Sequence, residues 1–252
     1  MMGGKAYVSI IMAAFNAERT IGLAIDSVVH QSFENWELII IDDGSNDSTV
    51  AIVNSKRDSR IRLIKNERNL GVSKSRKVGL DIAEGEWIAI LDSDDAWRSD
   101  KLEKQLNLQK ATCAEVVFTG SAFMDNDGNP LSWTLSVPEK LTYRELLKQN
   151  LISNSSVLVK KSLYKQNYVI GDELHEDFAI WLNITKEGKI AYGINEPLLI
   201  YRLTKSSKSS NKLKAAVMNW KTYRYVGLNP FSAFYYMCWY IIKSIKKYKN
   251  LI

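Results

Sequence analysis

Short apolar runs alternate with amphipathic stretches through the first hundred residues. Tyr7 to Met12, Glu37 to Ile41, Ile61 to Ile64 and Glu86 to Leu91 are brief and rich in β-branched residues, and they predict four strands. Between them Ile21, Ala24, Ile25, Val28 and Val29 recur at helical spacing after Asn16, and Ser48 to Ser55 and Ser73 to Ala83 predict two further helices. Strand–helix–strand alternation at this pitch predicts an α/β fold with a mainly parallel sheet between two helical layers. Ligands of such sheets bind beyond the carboxyl ends of the strands. Three polar clusters fall at those ends: Ala13-Ala14-Phe15-Asn16, Asp42-Asp43-Gly44-Ser45 and Asp92-Ser93-Asp94-Asp95.

The third cluster carries the sharpest chemical signal. Ile88 to Leu91 reads as a buried strand, and three carboxylates crowd into the four positions at its end. Like charges so close repel one another unless a cation neutralises them. A hard divalent ion with oxygen ligands, Mg²⁺ or Mn²⁺, fits, and such ions commonly share their shell with substrate phosphates. The plainer alternative is an acidic turn before the next helix, with Ser99 or Asp100 as its cap.

In order along the chain stand Val8-Ser-Ile-Ile-Met-Ala-Ala-Phe-Asn16, Ile41-Asp-Asp-Gly-Ser45, Asn69-Leu-Gly-Val72 with Arg76, Gly85-Glu-Trp-Ile88, Leu91-Asp-Ser-Asp-Asp95 and, further on, Glu176-Asp177 opening a helical pattern. This series resembles glycosyltransferase family 2. The resemblance implies the GT-A nucleotide-sugar-binding fold and an inverting sugar transfer. It places Phe15 near the uracil of a UDP-sugar, where stacking on a base is worth ~1–3 kcal/mol, with Ala13 and Asn16 beside it. Asp42 or Asp43 would accept the uracil imide N–H, a contact that disfavours cytosine; both can also open an Asx-type turn with Gly44. Arg76 would meet the diphosphate, since a guanidinium fits phosphate oxygens bidentately. Asp92 would hold the ribose, with Ser93 next to it, and Asp94 or Asp95 or both would ligate the metal. Asp177 would be the base that activates the acceptor, supported by Glu176, and a helix N-terminus keeps a carboxylate ionised. His175 reads as a structural residue beside that helix start. One departure stands out: relatives often carry Tyr-Arg-x-His, whereas here the run is Tyr201-Arg202-Leu203-Thr204.

Charge is distributed unevenly. From Tyr201 to Ile252 there are eleven Lys and Arg residues and no Asp or Glu. The other 23 basic residues face all 28 acidic ones, so the first 200 residues carry −5 while the whole chain carries +6. The tail also holds the apolar, aromatic run Pro230 to Ile242, followed by Lys243, Lys246, Lys247 and Lys249. That run is short of the ~20 residues a membrane span requires. Aromatic residues with lysines at one end suit an anionic membrane interface; packing on the catalytic domain or a contact between copies is the competing expectation. Nucleic acid is disfavoured, because no recognition fold accompanies the charge. Lys205 to Lys212 reads as a linker. The two cysteines, Cys113 and Cys238, predict no disulfide framework and fit a reducing cytosol, and the early strand after Gly3 and Gly4 predicts no secretory signal.

The expectation is therefore a catalytic domain over residues 1–204, with a nucleotide-binding part to residue 100 and an acceptor-binding part beyond it, followed by a basic, aromatic, amphipathic helical appendage over 205–252. The function expected is metal-dependent transfer of a hexose-type sugar from a UDP-sugar to a lipid-linked glycan acceptor in bacterial surface-polysaccharide assembly, at the inner face of the membrane. A non-catalytic membrane-bound module is the alternative. A sugar-nucleotide pyrophosphorylase is disfavoured because no Gly-rich basic loop follows the first strand, and a dehydrogenase because Gly-x-Gly-x-x-Gly is missing. Trp133 and the Asn154-Ser155-Ser156 segment are candidate acceptor contacts.

Overall fold

Parallel strands buried on both faces read as nearly continuous apolar runs, and β1 (Val8–Ala14) and β2 (Trp36–Asp42) are buried along almost their whole length. The computed structural model describes residues 6–171, 173–203 and 212–248. β1 and β2 are followed by β3 (Ile61–Lys65) and β4 (Trp87–Ile90), with helices α1 (Ile21–Val29), α2 (Thr49–Ser55) and α3 (Val72–Ile82) in the connections. Beyond β4 come β5 (Ala96–Trp97), α4 (Lys101–Thr112), β6 (Val116–Met124), β7 (Pro130–Leu135), β8 (Lys140–Leu141) and α5 (Tyr143–Lys148). A 3₁₀ turn, Asn154–Ser156, leads into β9 (Leu158–Lys160), α6 (Lys161–Gln166), α7 (Glu176–Lys186), β10 (Ala191–Arg202), α8 (Lys212–Tyr225) and α9 (Pro230–Tyr248).

The ten strands form one sheet in the order β3-β2-β1-β4-β9-β6-β10-β5, with β7 added to β6 and β8 to β10. The first four strands are parallel, as their patterning predicts. β9 joins β4 and β6 antiparallel, and β10 returns parallel to β6. The sheet is therefore mixed.

Side chains alternate between two apolar layers, as a period of two requires. Ile11, Ile39, Ile41, Ile88 and Ile90 face one layer with α5, α6 and α7. Ile10, Met12, Leu38, Ile40, Ala89 and Leu91 face the other with α1. α3 lies close on β1 and β2 because residue 79 is glycine. A Cβ there would stand 2.6 Å from Ile41 Cδ1 and 2.8 Å from Ile11 Cγ2, so any other residue would force those side chains or α3, with Arg76 on it, to shift. The Thr204 position and the Ser/Lys-rich stretch after it lie outside the described residues.

Candidate active site

A cleft of about 790 Å³ opens at the carboxyl ends of β1 and β4. Its walls include Ala13, Phe15, Asn16, Arg76, Asp92, Ser93, Asp94, Glu176 and Asp177. Residues 160 positions apart thus share one cavity. Asp42, Asp43 and Asp95 are set back from its wall.

The β1 end supplies a strained, preorganised corner. Asn16 adopts φ +49°, uncommon for a residue other than glycine. It is held there by its N–H donating to Ser45 Oγ (2.9 Å) and its side-chain oxygen accepting from Asn46 N–H (2.9 Å). Phe15 beside it is 46% exposed, an aromatic face presented to the cavity instead of the core.

The two aspartates at the β2 end have different work. Asp43 accepts from the Asn66 amide (2.8 Å) and from the backbone N–H groups of Leu70 and Gly71 (2.9 Å each). Burial alone would raise its pKa, but these bonds hold it below the ordinary carboxylate range. It thereby pins the Asn69-Leu70-Gly71 turn from which α3 starts, and Gly71 has the positive φ (+89°) that this start requires. Asp42 is equally buried, yet only one of its oxygens is bonded, to Ser45 N–H (3.3 Å). Its Oδ1 is buried without a hydrogen-bond partner.

After β4 the chain turns sharply, with Asp95 N–H donating to Asp92 O (3.1 Å). The turn separates the two aspartates that sequence reading groups as metal ligands. Asp94 faces the cleft, whereas Asp95 is 1% exposed and accepts from Arg202 N–H (3.0 Å) at the end of β10. Burial, and then the charge of Asp92, push Asp94 up to about 6. Burial and the charges of Asp92 and Asp94 push Asp95 well above the carboxylate range. Among the described residues no three His, Cys, Asp or Glu side chains converge on a point where they could hold a metal ion. The hard-oxygen chemistry still fits Mn²⁺ or Mg²⁺ at Asp94 with Asp92 beside it, provided that ligand phosphates and water complete the shell.

Arg76 is 7% exposed and ties the cleft together. Its guanidinium is ion-paired with Asp92 from β4 and donates to Glu176 Oε1 (3.4 Å) at the start of α7. With its oxygen turned inward, Asn154 accepts from both Nη atoms at 3.2 Å. Burial disfavours the cation, but Asp92 and then Glu176 more than offset that and raise its pKa. The arginine that sequence reading assigns to a diphosphate is thus engaged with carboxylates.

Several residues in and behind the cleft make bracing contacts that no local sequence pattern shows. Asn154 and Ser155, read as candidate acceptor contacts, are braces: Ser155 Oγ accepts from Asp92 N–H (3.1 Å), and its carbonyl accepts from Trp97 Nε1 (2.7 Å). Arg202 donates through Nε to Asp94 O (2.9 Å) and through Nη1 to Asn126 O (3.1 Å), joining the Asp92–Asp95 turn to the β6–β7 turn. Tyr201 lines the cleft, and Trp133 stacks on its neighbour Phe123 at 4.2 Å. His175 also reaches the cleft wall, but its N–H donates to Thr222 Oγ1 (3.1 Å) and its Nε2 lies 3.4 Å from Ala215 O, both on α8.

Comparison with known proteins agrees with this geometry. The model of glycosyl transferase family 2 matches residues 9–166, from β1 to the end of α6. The chain is 40% identical over 226 residues to the putative teichuronic acid biosynthesis glycosyltransferase TuaG of Bacillus subtilis, covering 89% of this chain and 90% of that one. It is 38% identical over 250 residues to the Escherichia coli UDP-Glc:alpha-D-GlcNAc-diphosphoundecaprenol beta-1,3-glucosyltransferase WfgD, covering 96% and 97%. In fold it is similar to S. aureus TarS 1–349 solved with UDP-GlcNAc, at TM-score 0.75 and 19% identity over 95% of this chain and 73% of that one. With the family model matching residues 9–166 and relatives aligned over nearly its whole length, the chain belongs to glycosyltransferase family 2.

Proposed function

We propose that the cleft transfers a hexose-type sugar from a UDP-sugar, with inversion, to a glycan carried on a polyprenyl diphosphate, in surface-polysaccharide assembly at the inner face of the membrane. The observation that carries this reading is that two pairs of carboxylates line one cavity. Asp92 and Asp94 come from the turn after β4, Glu176 and Asp177 from the N-terminus of α7, and Arg76 lies between Asp92 and Glu176.

The donor occupies the β1–β4 side. Phe15 stacks on the uracil, and Asp42, whose Oδ1 is buried behind the cleft wall without a partner, accepts its imide N–H once that wall opens on the bound base. Asn16 and Ala13 bound the nucleoside, and Asp92 and Ser93 meet the ribose. Asp94 would hold Mn²⁺ or Mg²⁺. When bound, the cation offsets negative charge on the departing UDP. On the opposite side Asp177 removes the proton from an acceptor hydroxyl. The oxygen then attacks the anomeric carbon from the face away from UDP; the new C–O bond forms as the bond to the diphosphate breaks. Glu176 fixes the acceptor side through Arg76. Asp177 sits in the first turn of α7 and lines the cleft, where a general base must reach the acceptor hydroxyl.

The acceptor class is supported by the names of relatives aligned over more than nine-tenths of the chain, two of which act on a GlcNAc-diphosphoundecaprenol. A screen of UDP- and GDP-sugars with Mn²⁺, reading nucleoside diphosphate release, tests the reading. One preferred UDP-sugar is expected. A GDP-sugar preference, or no turnover of any donor with or without a lipid-linked acceptor, would contradict it.

A further inference from the structure

α9 is apolar on two opposite faces. Ala233, Tyr236, Met237 and Tyr240 pack inward on the layer that holds α5 and α7. Phe231, Phe234, Tyr235, Ile241 and Ile242 stand outward, and Phe231 is 88% exposed. The outward positions fall three or four residues apart on either side of half-buried Cys238, so they form one stripe. A surface helix that already packs one face ordinarily turns polar residues outward, and a continuous exposed apolar stripe marks a contact surface.

The charge around the stripe selects the partner. Lys243, Lys246, Lys247 and Lys249 follow the stripe within seven residues of sequence, and no acidic residue lies between Tyr201 and Ile252. Bringing two copies together on this face would oppose positive charge to positive charge, whereas an anionic lipid surface complements it. Among the described residues no helix is long and apolar enough to cross a membrane. With its inner face packed, α9 has only its outer face to offer to lipid. We propose that the outer face of α9 is a docking surface for an anionic lipid bilayer and lies in the plane of its headgroups, with the aromatic residues in the interface and the basic sequence that follows supplying attraction to the anionic phosphates.

The placement has a consequence for the cleft. α9 packs on α8, and α8 holds the start of α7 through the Thr222–His175 bond. The docking surface is thereby joined, through one helix, to the end of the cleft that carries Glu176 and Asp177. Only this consequence rests on the lipid-linked acceptor proposed above; the docking itself does not.

Vesicle flotation tests it without any sugar substrate, so its failure leaves the transferase reading untouched. The full chain should float with vesicles of phosphatidylcholine and phosphatidylglycerol at low salt, float far less with phosphatidylcholine alone, and be released by high salt. The variant Phe231→Ser/Phe234→Ser/Ile241→Ser, whose sites are exposed, should keep its circular dichroism and melting temperature and bind the anionic vesicles about tenfold or more weaker. The proposal is overturned if the full chain stays in solution with anionic vesicles, or if the folded triple variant floats as well as the parent. It is equally overturned if sedimentation shows a dimer that the triple variant loses while neither protein binds vesicles.

Discussion

Arg76 donates to Glu176 across 3.4 Å although one hundred residues separate them in the chain. Through the same guanidinium Glu176 is linked to Asp92, so the strand end that carries the proposed donor-side aspartates and the helix start that carries the proposed base share one buried cation. Removing one partner of a buried ion pair costs ~3–5 kcal/mol because the other charge is left uncompensated.

Arg76→Ala should therefore destabilise the protein by about 3 kcal/mol in urea unfolding, and Arg76→Lys should recover only part of that, because an ammonium cannot span two carboxylates with a planar fork. Combined with Glu176→Gln, the loss should be less than the sum of the single losses by about 1 kcal/mol or more. Strict additivity would show that the two residues do not communicate.

Asp43 gives a stability prediction with a definite pH sign. Its folded pKa lies below the ordinary value, so it stabilises the fold above pH ~4 and that stabilisation fades as pH falls through the folded value. Asp43→Ala loses three hydrogen bonds and frees the Leu70–Gly71 turn, and should cost about 2 kcal/mol at neutral pH. Unfolding curves of parent and variant should converge in strong acid. A gap that stays constant with pH would place the effect elsewhere.

Asp94 has the opposite sign. Burial and the neighbouring Asp92 raise it to about 6, so its ionised form works against folding at pH 7. The cost is present in full above the folded value and disappears as pH falls from about 6 toward the unfolded value near 4. Asp94→Asn should melt higher than the parent at pH 7, with the difference vanishing in acid, and should lose Mn²⁺-dependent UDP binding. A stabilised variant that kept full turnover in EDTA would remove the metal from Asp94. Such an exchange of stability for function is common where a site needs charge in a poor place for it.

The four parallel strands and their polar ends were legible in the sequence because strands buried on both faces need apolar, β-branched runs, and because polar clusters break those runs at their carboxyl ends. The second half was harder. β10 runs from Ala191 to Arg202 but shifts register around Pro197, which breaks the pattern of a single strand. The roles of Asn154 and Arg202 depend on partners more than seventy residues away, and no local spacing encodes such a contact. Asp94 and Asp95 are neighbours in sequence, and only the tight turn that seats Asp95 against Arg202 separates them. α9 was readable as apolar and aromatic, but not as apolar on two sides, since that depends on what packs against Ala233 and Tyr240.

The division of labour in the cleft is tested most directly by Asp177→Asn, measured for donor binding and for transfer on the same preparation. Asp177 lies beyond the residues that the family model matches, so its role rests on its place at the start of α7 facing the cleft. A base acts in the chemical step and not in ground-state binding, and general base catalysis supplies ~10²–10⁴-fold. The variant should bind UDP-sugar with nearly unchanged affinity while transfer at saturating donor and acceptor falls by about that factor. A variant that loses donor affinity but transfers normally at saturation would contradict the assignment.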